Sequence, residues 1–400
     1  MAASSIFPVH APLVEHIRSG VVSGVTTSYV AGPVAQAIGA GALATPAVLQ
    51  THGGRARAIE GDELRIDAAF VAAPSVDACG NINGVDGRAA CGTLGYPVAD
   101  VRHAGRVVAV TDDLVPFPNR AIQIAQDGVD HVVAVESIGD PRQIASGTTR
   151  PTAHRVGLQI AETAARVVEA SGLLADGFSF QTGAGGVSLA VASRLADTMA
   201  RKGIRGGFAA GGITGMIVDM LEAGLFRALL DVQCFDLRAV ESFRRNPAHQ
   251  QMSASVYANP HRRGAVVDRL DAMILGAAEV DLDFNVNVAT GTDGAIIGGS
   301  GGHSDTAAGA KLALVTTPGE TVDAVATEAG VAVNPRRPDL RDRLVSAGIP
   351  VVPIEALREE AERSVGGVKT APRAGGGKIV AVVEYRDGTV IDVVREVPGG

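Results

Sequence analysis

The chain has 400 residues, a net charge of −8, 46% hydrophobic residues, 4% aromatic residues and 50 glycines. This length is too great for one ordinary core and suits two or three domains. The acidic balance leaves no basic surplus with which to neutralise phosphates, which argues against nucleic-acid binding. Strands rich in Val, Ile and Ala, joined by glycine turns, predict an α/β protein of mostly parallel sheets. Cys79, Cys91 and Cys234 are odd in number and lack a C-x-x-C spacing, which fits a reducing compartment. Met1-Ala-Ala-Ser-Ser-Ile has no basic or long apolar leader segment, and no apolar run reaches membrane-spanning length. A cytoplasmic protein with no membrane partner is expected. The pairs Arg244–Arg245, Arg262–Arg263 and Arg336–Arg337 are isolated and read as solvated faces.

In chain order, Val25–Val30 reads as a strand, followed by Gly32-Pro33 and an Ala-rich helical stretch. Ala47–Gln50, Ile66–Ala72, Arg106–Thr111 and His131–Val135 read as further strands. Several are continuous apolar runs, which predicts burial on both faces. Asp77–Gly87 is a turn-rich loop at a strand end, where open α/β sheets place their crevices. Leu158–Ala170 has a helical pattern, and the division between domains is set here, giving 1–165 and 166–400. Phe178–Thr182 is then a strand, and Val187, Val191, Leu195 and Met199 lie on one helix face that closes at Lys202-Gly203. Phe208–Ala210 is a strand, and the stripe Ile213, Met216, Ile217, Met220 and Leu221 reads as core packing. Leu225–Gln233 and Ala272–Leu275 are strands, Gly366–Gly377 is a connector, and Lys378–Tyr385 with Thr389–Val394 forms a hairpin around Asp387-Gly388.

Two glycine loops stand out. Gln181-Thr-Gly-Ala-Gly-Gly186 follows a strand and opens a helix, and Gly298-Gly-Ser-Gly-Gly-His-Ser-Asp305 has Asn285, Asn287 and Asp293 before it. Close glycines let backbone N–H groups reach an oxyanion, a phosphate or a thioester carbonyl. Gly183, Gly185 and Gly186 are the candidate catalytic cradle. Asn285, Asn287, Gly299, Ser300, Gly301, Gly302, His303 and Asp305 are the candidate substrate or thioester-binding set. The dinucleotide fingerprint lacks its third glycine after Gly185-Gly186, and no G-K-[ST] of a P-loop occurs. The nine histidines are scattered with no metal-ligand spacing, so no metal is expected. His52 and His303 are the histidines expected to face a cleft. Glu279-Val-Asp-Leu-Asp283 reads as a solvated strand end or as a carboxylate supporting the two asparagines.

These segments, with Gly211-Gly-Ile-Thr, Leu230–Asp236, Arg244–His249, Phe284-Asn-Val-Asn-Val, His52-Gly-Gly-Arg, Asn81-Ile-Asn-Gly and Cys91–Tyr96, resemble the alpha chain of bacterial citrate lyase over nearly the whole sequence. The resemblance implies the acyl-coenzyme-A transferase fold, with two similar open α/β domains. It implies an exchange in which citrate displaces acetate from a thioester. The thioester sits on a coenzyme-A-like prosthetic arm of an acyl-carrier gamma subunit, and this chain itself carries no covalent cofactor. A beta subunit then cleaves the citryl thioester within an oligomeric complex. Two departures accompany the resemblance. Family chains begin earlier, and they insert a strand-containing stretch between Val315 and Thr316, so each sheet is expected to lack an edge element. In glutamate-using relatives the nucleophile lies near the position of Gly211, where this chain has no carboxylate. Direct attack by citrate on the thioester is therefore expected, with Glu279 as the alternative nucleophile. The competing readings are a short-chain acyl-coenzyme-A transferase or hydrolase of the same fold, and a catalytically impaired structural subunit.

Overall fold

The structure is a computed structural model that describes residues 1–143, 149–314, 321–367 and 377–397. Most of the connector Gly366–Gly377 and the junction after Val315 lie outside the described residues. By internal packing the chain forms two compact units, one of Met1–Ala58, Ala258–Asp268 and Leu275–Gly400, the other of Ile59–Tyr257 and Arg269–Ile274. These units interleave in sequence and so are drawn differently from a division near residue 165. Among the described residues no helix is long and apolar enough to cross a membrane.

The first unit contains a five-stranded sheet in the order Ala2–Ala3, Thr26–Thr27, Ala47–Leu49, Ile379–Glu384 and Val390–Arg395. Its first four strands are parallel, with Val382 opposite Val48, and Val390–Arg395 closes it antiparallel. Val30, Val34, Ile38, Leu49, Val380 and Ala381 pack its core. The Asp387-Gly388 turn forms the hairpin as expected. The expected strand Val25–Val30 shrinks to Thr26–Thr27, because beyond Ser28 the chain is tied to Ile6 by a single bridge at Val30. Further along, Leu312–Leu314 is a strand, Ala324–Thr327 and Gly330–Val333 pair antiparallel, and helices Pro338–Ser346 and Ile354–Ser364 follow.

The second unit has five parallel strands in the order His249–Gln251, Phe226–Cys234, Gly206–Ile213, Ser179–Thr182 and Ala272–Ile274. Helices Gly186–Lys202, Gly215–Glu222 and Leu237–Arg245 make the crossovers that parallel strands require. Val191, Leu195 and Met199 are buried as predicted, and Gly203 ends its helix in the left-handed conformation at φ 67°. Helix Arg155–Ala170 packs on Gly186–Lys202. A separate parallel sheet holds Ala69–Ala72, Val107–Thr111 and His131–Ala134. The expectation of burial on both faces fails here: Ala69–Ala72 alternates buried and exposed, Phe70 is 74% exposed, and His131–Ala134 is largely open. The sheet's buried core lies on one side only, so an apolar run there is not a sign of a central strand.

Candidate active site

In the second unit, strand Ser179–Thr182 ends in the Gly183–Gly186 turn, and Gly185 is the N-cap of helix Gly186–Lys202 with no side-chain cap. The first-turn N–H groups have no acceptor inside their own helix and present a partial positive charge. The Gly183 N–H is already given to the Ile274 carbonyl at 3.0 Å, so Gly183 drops out as an oxyanion donor. Gly185 is exposed, has φ −68°, and would have nothing within 4 Å of an added Cβ. Its glycine is therefore not demanded by backbone conformation or by protein packing; glycine is favoured at an N-cap, and here it leaves the helix end open.

Gly211 sits at a bulge, with φ 104°, and a Cβ there would meet the Gln181 carboxamide at 2.7 Å. Gln181 Nε2 donates to Tyr257 Oη at 2.6 Å, and its buried Oε1 has no partner among the described residues. The position is thus closed to a side chain by both strain and space. One histidine that shows no metal-ligand spacing in the sequence is brought beside acidic and cysteine neighbours by folding. Asp231, Cys234 and His249 converge in this unit, all buried. They are turned on one another: the Cys234 thiol donates to Asp231 Oδ2, His249 Nε2 lies 3.0 Å from the same oxygen, and His249 Nδ1 lies 3.0 Å from Ser242 Oγ. Burial and the Asp231 carboxylate push the Cys234 thiol well above its ordinary range.

In the first unit, the Thr51–Gly53 segment and the C-terminal hairpin converge on Asp305. Thr51 ends the Ala47–Leu49 region and pairs with Gly301 in a parallel bridge, and Thr51 Oγ1 caps helix His52–Glu60 by accepting the Gly54 N–H at 2.8 Å. Asp305 is fully buried and accepts Thr51 Oγ1–H and the Gly53 N–H, each at 2.8 Å. Gly53 must be glycine because a Cβ would lie 2.0 Å from the Ala258 carbonyl oxygen. Arg386, at the tip of the C-terminal hairpin, brings its Nε to 3.9 Å from Asp305 Oδ1. Burial raises the Asp305 carboxyl to about 6, against the opposing pull of the Gly53 N–H, Arg386 and Thr51. Burial, Arg55 and His303 depress His52 to about 3, and burial lowers His303. His303 Nδ1 lies 2.9 Å from the Ser300 carbonyl.

The loop Gly298–Gly302 is held more by packing than by ligand access. A Cβ on Gly299 would lie 2.5 Å from the Ser28 carbonyl oxygen, and the Gly301 N–H is given to that same carbonyl. The segment also has the Gly-x-Ser-x-Gly spacing of a serine-nucleophile turn, which reading it as a backbone cradle overlooked. Ser300 Oγ pairs with Ser304 Oγ at 2.8 Å, and His303 faces the Ser300 carbonyl instead, so a serine–histidine couple is not formed. Gly302 is the N-cap of the short helix His303–Gly309.

Glu279, Asn285, Asn287 and Ser300 do come together, lining one cavity of about 1020 Å³ with Val383 and Ile391. Glu279 takes the place its sequence reading gave it, a solvated strand-end carboxylate that supports Asn287. Glu279 is exposed and accepts Asn287 Nδ2–H at 2.8 Å, so it lacks the desolvation that would favour a carboxylate nucleophile. Asn287 also binds Thr290, and Asn285 Nδ2 donates to Asp281 Oδ2. Both amides order local turns. Asp293 does likewise, accepting the Ala295 N–H. Thr51 and Arg386 were missed from sequence, since one reads as a strand end and the other as a turn residue.

Two mostly parallel α/β units with glycine turns at strand ends define the class of the acyl-coenzyme-A transferase fold. A 4-hydroxybutyrate CoA-transferase from Porphyromonas gingivalis shares that fold at 18% identity and a TM-score of 0.52, covering 91% of this chain and 94% of its own. A family model described as citrate lyase, alpha subunit (CitF), matches residues 1–397. The chain belongs to that family. It is 48% identical to the citrate lyase alpha chain of Escherichia coli K12, over 99% of this chain and 81% of that one. The Klebsiella pneumoniae alpha chain is 46% identical, over 99% and 82%. A crystal structure of the alpha subunit of citrate lyase from Streptococcus mutans, in complex with citrate, matches with a TM-score of 0.95 and 47% identity, over 99% of this chain and 81% of that one.

Proposed function

We propose that the chain exchanges acetate for citrate on a thioester carried by a separate acyl-carrier subunit, as the transferase subunit of a citrate lyase complex. The observation that carries this reading is 46–48% identity to citrate lyase alpha chains over 99% of this chain and 81–83% of theirs. A citrate carboxylate oxygen attacks the acetyl thioester carbon. The C–S bond breaks, the carrier thiolate leaves, and a mixed citric–acetic anhydride remains. The thiolate then attacks the citryl carbonyl and expels acetate. No net proton is transferred, so backbone donors matter more than acid–base side chains. The first-turn N–H groups of helix Gly186–Lys202 are suited to the developing oxyanion. Two features support attack by citrate itself: Gly211 has no carboxylate, and Glu279 is solvent-exposed and engaged with Asn287. The coenzyme-A-like arm belongs to the carrier, and a beta subunit performs the cleavage.

The test supplies the purified chain with citrate and an acetyl thioester on the carrier or on coenzyme A. Citryl thioester and acetate should form in equal amounts without oxaloacetate. Oxaloacetate production by the chain alone, or no exchange with the carrier present, would overturn the assignment.

A further inference from the structure

The C-terminal hairpin carries a cation that the described residues leave short of partners. Arg386 lies in its turn, and its side chain is only 12% exposed. The nearest carboxylate oxygens, Asp305 Oδ1 and Asp268 Oδ1, are each 3.9 Å away, beyond hydrogen-bond range. Nη2 makes a long contact of 3.4 Å to the Ala258 carbonyl, and buried Nε has no hydrogen-bond partner among the described residues. A guanidinium presents five donors in a planar fork, and enclosing such a charge without a hydrogen-bonded partner is costly.

Asp305 stands too far from the guanidinium, at 3.9 Å, to hydrogen-bond it. Its two oxygens already accept Thr51 Oγ1–H and the Gly53 N–H, and moving it toward Arg386 would uncap the segment at His52–Glu60. Two other buried side-chain oxygens, just beyond the ends of strands Thr26–Thr27 and Ala47–Leu49, also lack partners among the described residues. They are Ser28 Oγ, whose backbone carbonyl holds Gly301, and Gln50 Oε1, which immediately precedes Thr51. A planar anion that also carries a hydrogen-bond donor would suit this set.

We propose that Arg386 receives one carboxylate of citrate as a bidentate pair, and so selects a polycarboxylate over acetate. This rests on the transferase reading above. A carboxylate matches the guanidinium fork in plane and spacing, whereas the point charge of lysine does not. Acetate has a single carboxylate, which the exchange itself consumes; citrate has others to spare for recognition.

The test compares wild type with Arg386→Lys and Arg386→Ala in the full chain supplied with the carrier. Citrate binding is measured by calorimetry, and transfer kinetics are measured with citrate and with labelled acetate as competing acceptors. Charge-assisted pairing predicts that Arg386→Lys raises the citrate Kd and KM by roughly 10- to 100-fold. The citrate-to-acetate ratio of kcat/KM should fall by a similar factor. Added guanidinium ion should partly restore citrate use by Arg386→Ala. Unchanged citrate affinity in the folded lysine variant overturns the proposal, as does an equal loss with both acceptors. If wild type binds citrate in an Arg386-dependent way but transfers nothing, the transferase reading fails while this assignment stands.

Discussion

Asp305→Asn isolates the buried hub that joins the two glycine segments of the first unit. The carboxyl titrates at about 6 in the folded chain and near 3.8 when unfolded. Between those values the folded state binds the proton that the unfolded state releases. Stability from this group is therefore full below about pH 4 and is lost as pH rises through 6. The shift of about two units corresponds to about 3 kcal/mol. His52 works in the opposite direction, since its proton is bound in the unfolded state but excluded from the folded one from about pH 6.5 down to about 3. The two slopes offset each other in wild type between about pH 4 and 6. Asparagine removes the Asp305 slope and also turns an N–H toward a donor, an initial cost of about 1–3 kcal/mol. Urea denaturation at pH 4.5 and 7.5 should show the Asp305→Asn protein gaining on wild type by about 2 kcal/mol as pH rises. A difference between the two proteins that does not change with pH would refute the assignment of a raised, buried carboxyl at Asp305.

Three other outcomes follow from the same geometry. Gly185→Val should cost about 1 kcal/mol, the loss of a favoured N-cap residue, since φ is −68° and a Cβ meets nothing within 4 Å, yet exchange should fall steeply; full exchange in the folded variant removes this turn from the site. Gly53→Ala should cost about 1–3 kcal/mol or more, because its Cβ would sit 2.0 Å from the Ala258 oxygen, and thermal unfolding that matches wild type would contradict that packing. Borohydride trapping during turnover, followed by peptide mass spectrometry, should yield no reduced glutamyl residue; label on Glu279 would replace direct attack by a covalent route.

Local signals were legible without the fold. The 3.6-residue stripe through Val191, Leu195 and Met199, the Lys202-Gly203 stop and the Asp387-Gly388 hairpin depend on near neighbours, and each formed where expected. The absence of a carboxylate on Gly207–Gly212 needed only the residue names. The tertiary structure decided which segments met. Pairing of Ala381 with Ala47 returns the C-terminal hairpin to the N-terminal sheet and carries Arg386 to Asp305. The Thr51–Asp305 hydrogen bond spans 254 positions, a distance over which periodicity carries no information. The local hydrogen bonds of Asn285 and Asn287 were hidden from sequence for the same reason. An amide's type can be read from sequence, but whether it is free for a ligand depends on the donors and acceptors that folding places around it.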